Sequence, residues 1–238
     1  MKTSAREKLR QERIQQARRE KRRRTLRIVV GLVAVAVVAV GVFAQVNRST
    51  ATSFSGPLAT VTPQQDGTVV MAEPGVSAPV LDVYVDFQCP LCKEFERVNG
   101  GLIKQIAAEG KAKVVYHPIA FVNPEGSVRA AAAAQCVPGS SWMAFHDAVF
   151  AAQPDERTAF TVDDLMKIAS DVGITDPAVT SCIESQRYAA QVRQTTASVF
   201  ASPEVQGTPT LLLDGRKLTD DEVFTSTGLR AALEEASR

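Results

Sequence analysis

Apolar residues change their spacing several times along this chain, and each change marks an element. Val80–Phe87 (VLDVYVDF) is short and rich in Val, Tyr and Phe, the pattern of a buried strand. It passes through Gln88-Cys89-Pro90 into a stretch where Leu91, Phe95, Val98, Leu102 and Ile106 recur at helical spacing, up to Gly110. Lys113–Val122 is a second strong strand pattern; Pro118 inside it predicts a sheet edge or a bend. Thr68–Ala72 is a shorter strand candidate ahead of both. Helical patterns then dominate. They cover an Ala-rich Ser127–Cys136, then Ser141–Ala152 with Trp142, Phe145, Val149 and Phe150 as its apolar side. A third helix opens at Thr161 and ends at Gly173, and a long fourth runs from Asp176-Pro177 toward Phe200. Thr208–Leu213 returns to strand, Asp214-Gly215 is a hairpin turn with Arg216–Leu218 as the partner, and Thr227–Ala236 closes with a helix. The order predicts an α/β sheet domain over residues 67–238, with a block of helices inserted at about 124–202.

The first 66 residues read differently. Residues 1–27 carry twelve Lys and Arg against three Glu, whereas the remainder of the 238 residues has fifteen basic against twenty-three acidic. A near-neutral total thus conceals two environments. Between them, Ile28–Ala44 holds seventeen residues without a charge, long enough to cross a bilayer once a flanking apolar residue is added. This predicts a single transmembrane helix at 28–46. Residues 1–27 would form a basic tail on the cytoplasmic side, and everything beyond would be extracytoplasmic. A cleaved signal peptide, cut after Val42-Phe43-Ala44, is the rival reading; the long basic region and long apolar run argue against it. The Arg-rich tail gains from anionic lipids beside such a span, so the bilayer and not nucleic acid is its expected partner. Residues 47–66, rich in Ser, Thr, Pro and Gly, read as a flexible tether.

The chemistry lies in four cysteines, which fall into two kinds. Cys89-Pro90-Leu91-Cys92 is a C-x-x-C where a strand turns into a helix. Cys89 would sit at the helix N-terminus, where free N–H groups and the dipole favour a thiolate, and Pro90 suits the first turn. Cys92, one turn on, can attack a mixed disulfide and release a partner, so the arrangement suits thiol–disulfide exchange. Zinc would need a second ligand pair, and neither His117 nor His146 supplies it at a metal-site spacing. No metal and no cofactor is expected. Cys136 and Cys182, 46 residues apart on two helices of the insertion, are best read as a structural disulfide. Two buried free thiols or a second redox relay are the alternatives. Asp86 lies in a strand of buried character and is a candidate proton relay; Glu94 and Glu96 read as a solvated helix face. His117, Trp142 and His146 read as structural.

The segment Asp86-Phe87-Gln88-Cys89-Pro90-Leu91-Cys92-Lys93-Glu94-Phe95-Glu96 resembles the active-site stretch of DsbA-like thioredoxin-fold oxidoreductases, membrane-anchored actinobacterial members above all. Gly207-Thr208-Pro209-Thr210 resembles the cis-proline loop of that fold, and the helical block with Cys136 and Cys182 is also similar. The resemblance implies a thioredoxin fold with Cys89 as nucleophile and Cys92 as resolving thiol. Pro209 would be cis, and the backbone at Thr208 would meet an extended substrate. It also implies exported unfolded or reduced proteins as substrates and a membrane reoxidant of the vitamin K epoxide reductase-like type. Leu91 departs from the enterobacterial enzyme, which has a His between its cysteines, so the strongest oxidising power is not implied here.

Overall fold

The computed structural model describes residues 52–238, apart from Ala78 and Glu156. The basic tail and the span expected at 28–46 lie outside the described residues, among which no helix is long and apolar enough to cross a membrane.

Six strands form one mixed sheet: β1 (Thr60–Pro63), β2 (Val69–Ala72), β3 (Val80–Val85), β4 (Lys113–Pro118), β5 (Thr210–Leu213) and β6 (Arg216–Lys217). Their order is β1-β2-β4-β3-β5-β6, with β3 and β4 parallel and every other pair antiparallel. The parallel pair needs a crossover, and α1 (Pro90–Ala108) supplies it. Alternation along β3 buries Leu81, Val83 and Val85. They share one core with Phe95, Leu102, Ile103 and Ile106 of α1, with Val223 of α7 (Asp220–Phe224), and with Leu229 and Leu233 of α8 (Ser226–Ala236).

Between β4 and β5 the chain leaves the sheet for five helices: α2 (Gly126–Cys136), α3 (Gly139–Ala152), α4 (Val162–Asp171), α5 (Pro177–Glu184) and α6 (Ala189–Phe200). Ala130–Ala134 of α2 are all fully buried; such small side chains let neighbouring helices approach closely. A cluster of aromatic rings fills the space between insertion and sheet. His146 lies 5.0 Å, centroid to centroid, from each of Tyr116, Trp142 and Phe150, and 5.6 Å from Phe87. The disulfide Cys136–Cys182 joins α2 to α5, with Cα atoms 5.8 Å apart.

Four expectations need correction. The long fourth helix is two helices, because Gln186 takes φ 50°, a left-handed conformation that ends α5 before α6 begins. Of the two readings of Pro118 the sheet edge falls, since β4 sits between β2 and β3; the strand instead breaks off there, short of Val122, its ladder with β3 ending at the Val85–Pro118 pair. Much of the tether is part of the domain, since β1 pairs with β2 and Ala59 is buried. Glu96 faces the interior: its carboxyl oxygens are buried without a hydrogen bond, one of them 3.6 Å from His146 Nε2, while Glu94 pairs with Arg97 at the surface. The hairpin does follow the sequence signal, with Asp214 and Gly215 at φ 49° and 81°.

Candidate active site

Phe87, Gln88 and Cys89 leave β3 and turn into α1, with Cys89 as its N-cap residue and Pro90 in the first turn, where the missing N–H costs nothing. Both thiols are free and buried. From the far side of the insertion, the cis Thr208–Pro209 bond closes the site. Cys89 donates its S–H to the Thr208 carbonyl at 3.2 Å, although the two residues are 119 apart in sequence. The structure therefore brings together Cys89, Cys92, Thr208 and Pro209.

The two sulfurs have opposite electrostatics. Cys89 is pulled down to about 6, first by the hydrogen bond from Cys92, against the opposing pull of burial; the Thr208 hydroxyl and the free N–H groups of Leu91 and Cys92 help. Cys92 is pushed well above the usual thiol value by burial and by the neighbouring Cys89 charge. At neutral pH the pair is thus one thiolate and one thiol, a protonation state suited to thiol–disulfide exchange. The Thr208 hydroxyl is buried without a hydrogen-bond partner, and the Thr208 side chain pulls both thiols down.

Asp86 organises this corner. One carboxylate oxygen accepts from the Phe121 and Val122 N–H groups, both at 2.7 Å, and from the Ser127 hydroxyl at 2.8 Å. The other accepts from Gln88 N at 2.8 Å, while the Asp86 N–H points at Cys92 Sγ, 3.5 Å away. Burial pushes its carboxyl up despite these four bonds. Its oxygens thus tie the loop after β4 and the start of α2 to the cysteine turn. Cys136 and Cys182 lie elsewhere, in the insertion, as a disulfide.

Sequence reasoning missed three residues that hold the active-site turn. Gln88 is fully buried; its amide donates to the Thr158 carbonyl at 2.9 Å and accepts from Phe160 N at 2.9 Å. Gln153 donates to the Phe87 and Cys89 carbonyls at 2.8 and 3.0 Å. Gly126 makes room, because a Cβ there would fall 1.4 Å from Gln88 Oε1. Only Gln88, next to Cys89, carried any signal in the sequence. Around the mouth, Leu91 and Phe121 are 57% and 49% exposed, and Phe121 packs against Phe200 with ring centroids 5.0 Å apart and the planes tilted by 34°.

A family model described as "Thioredoxin" matches residues 71–235. The chain belongs to the thioredoxin family. Among solved structures, oxidised Mtb DsbA is 29% identical with a TM-score of 0.60, over 75% of this chain and 92% of that one. Reduced DsbG of Mycobacterium tuberculosis, a disulfide bond oxidoreductase, is 31% identical with a TM-score of 0.58, over 69% and 82%. MdbA, a thiol-disulfide oxidoreductase from Actinomyces oris, is 25% identical with a TM-score of 0.60, over 73% and 87%. This DsbA-like protein is a thiol–disulfide oxidoreductase. It is also 31% identical over 150 residues to the serine/threonine-protein kinase PknE of Mycobacterium tuberculosis, covering 56% of this chain but only 26% of the kinase. The activity in that name belongs to the longer protein.

Proposed function

We propose that Cys89–Cys92 acts outside the cytoplasm as a disulfide donor to exported proteins. The observation that carries this reading is the split between the two thiols. A stabilised Cys89 thiolate stabilises the reduced enzyme and so makes its disulfide the better oxidant. Thiol values of about 3.5 accompany strong oxidants and about 7 accompany reductants; about 6 falls between them. A substrate thiolate attacks Cys89 Sγ, the Cys89–Cys92 bond breaks, and Cys92 leaves and takes up a proton. A second substrate thiolate then attacks its own half of the mixed disulfide, which releases Cys89 as thiolate. The backbone ahead of Pro209 would pair with an extended substrate segment, and the exposed Leu91 and Phe121 favour apolar residues beside the substrate cysteine.

The apolar run at 28–46 would anchor the chain with residues 1–27 in the cytoplasm, and the charge split supports that topology. Reduced enzyme would be reoxidised by a quinone-linked membrane partner of the vitamin K epoxide reductase-like type. The test is a Cys92→Ala variant expressed in the native host. Mixed disulfides between Cys89 and exported proteins are expected, and their absence in a variant that still folds would refute the reading. A reductase or isomerase shares this geometry. A reduction potential near −270 mV would favour it, and one between about −120 and −180 mV the donor.

A further inference from the structure

We propose that Thr52 is a positioning residue for the thiol pair: its hydroxyl, lodged in the main-chain ladder of α1, sets the course of the cysteine-bearing half of that helix. The Thr52 N–H and hydroxyl both donate to the Val98 carbonyl, at 3.2 and 2.7 Å, and the Leu102 N–H donates to the same hydroxyl at 3.0 Å. In an α-helix Val98 C=O and Leu102 N–H are the two ends of one rung. A side chain inserted there is one of the few recognised causes of helix bending.

The sequence of α1 is built to admit it. Asn99, Gly100 and Gly101 are all buried in mid-helix, where glycine is a poor helix former and needs a packing reason. A Cβ on Gly101 would fall 2.6 Å from both the carbonyl carbon and oxygen of Thr52 and 2.8 Å from Ser53 N, all of them main chain. The same turn is fixed from its other side by Asn99, which donates to the Val223 carbonyl at 2.8 Å.

The strap is also held at its far end. Ala59 is buried, Thr60–Pro63 pair with β2, and a Cβ on Gly139 at the start of α3 would lie 2.0 Å from the Val61 carbonyl oxygen. Residues 52–63 thus run between two fixed points, the middle of α1 and the sheet edge beside the insertion. Val98 follows Cys89 by nine residues, about 13 Å along the axis at 1.5 Å per residue. A change of about 10° at that pivot carries Cys89 through about 2 Å, enough to break its 3.2 Å contact with Thr208.

The experiment compares full-length wild type with Thr52→Val, which keeps the shape without the hydroxyl, Thr52→Ser, which restores it, and Gly101→Ala, which pushes the strap off. The readouts are the Cys89 titration midpoint and the equilibrium with a glutathione buffer. Thr52→Val and Gly101→Ala are expected to move the midpoint and with it to shift the glutathione equilibrium three- to tenfold, about 15–30 mV. Thr52→Ser should match wild type. A Thr52→Val protein within twofold of wild type, however much earlier it melts, would overturn the proposal. If that variant does not fold, Gly101→Ala carries the comparison. Amide exchange at Leu102 of the wild type is the second readout. Protection that differs between oxidised and reduced protein supports the coupling, and identical protection in both counts against it. The proposal rests on exchange at Cys89–Cys92: a wild type that exchanges normally beside an unchanged Thr52→Val refutes the positioning role alone, and a wild type without exchange refutes the redox reading too.

Discussion

Replacing Thr208 by Val removes one hydroxyl and leaves the shape of the site intact. That hydroxyl is buried without a hydrogen-bond partner, so it is free to donate to the Cys89 thiolate, which the Thr208 side chain holds down. A hydrogen bond to a charged group contributes about 1.5–3 kcal/mol, so its loss should raise Cys89 from about 6 by one to two pH units. The effect on redox balance follows from linkage. A thiol whose folded-state value is depressed stabilises the reduced protein at pH above the unfolded thiol value near 8.5, and that stability is lost as pH falls through 6. At pH 7 the native shift is worth at most about 1.4 kcal/mol, and about 1 kcal/mol after allowing for screening by solvent at the mouth. Thr208→Val should remove most of it, making the disulfide less oxidising by about 20 mV. Thiolate absorbance near 240 nm across a pH series gives the midpoint, and a thiol buffer gives the potential. A midpoint unmoved in Thr208→Val, or a wild-type midpoint above 8, would refute the reasoning.

Alkylation of the reduced enzyme at Cys89 should be flat above pH 6 and fall about tenfold per unit below it, because only the thiolate reacts; a profile still rising at pH 8 would contradict the assignment. Replacing Cys136 and Cys182 together by Ser opens a 46-residue loop and should cost about 4 kcal/mol in urea unfolding while leaving the Cys89 midpoint in place. Asp86→Ala strands three main-chain N–H groups and the Ser127 hydroxyl in a buried corner, so a loss of about 3 kcal/mol or more is expected. A loss under about 1 kcal/mol would mean that water replaces the carboxylate.

The site was legible in the sequence wherever its chemistry is local. Cys89 and Cys92 share one helical turn, and the strand before them and the Thr-Pro loop beyond have their own signatures. Asp214-Gly215 declared its hairpin for the same reason: both residues tolerate positive φ. What the sequence concealed depends on distant partners. Gln88, Gln153 and Gly126 matter because they meet across the insertion, and no periodicity records that meeting. Glu96 looked solvated because charge argues for exposure; the helix face it occupies is fixed by α3 packing over it. Residues 52–63 looked like a tether because Ser, Thr, Pro and Gly are also what a close-fitting main-chain strap requires. The break at Gln186 left no mark, since a single left-handed residue interrupts a helix without interrupting its apolar pattern.

The placement of the insertion also sets an order of events in time. Cys89 meets Thr208 only across 119 residues of intervening chain. At about 5–20 residues per second of synthesis, the cysteines exist for roughly 6–24 seconds before the loop that completes their surroundings has been made. Through that interval the Thr208 side chain is not yet present, and Cys89 has less to hold it as a thiolate. A nascent chain therefore carries its reactive pair in a subdued form. Full reactivity arrives with the closing of the sheet, after the last helix of the insertion has been made.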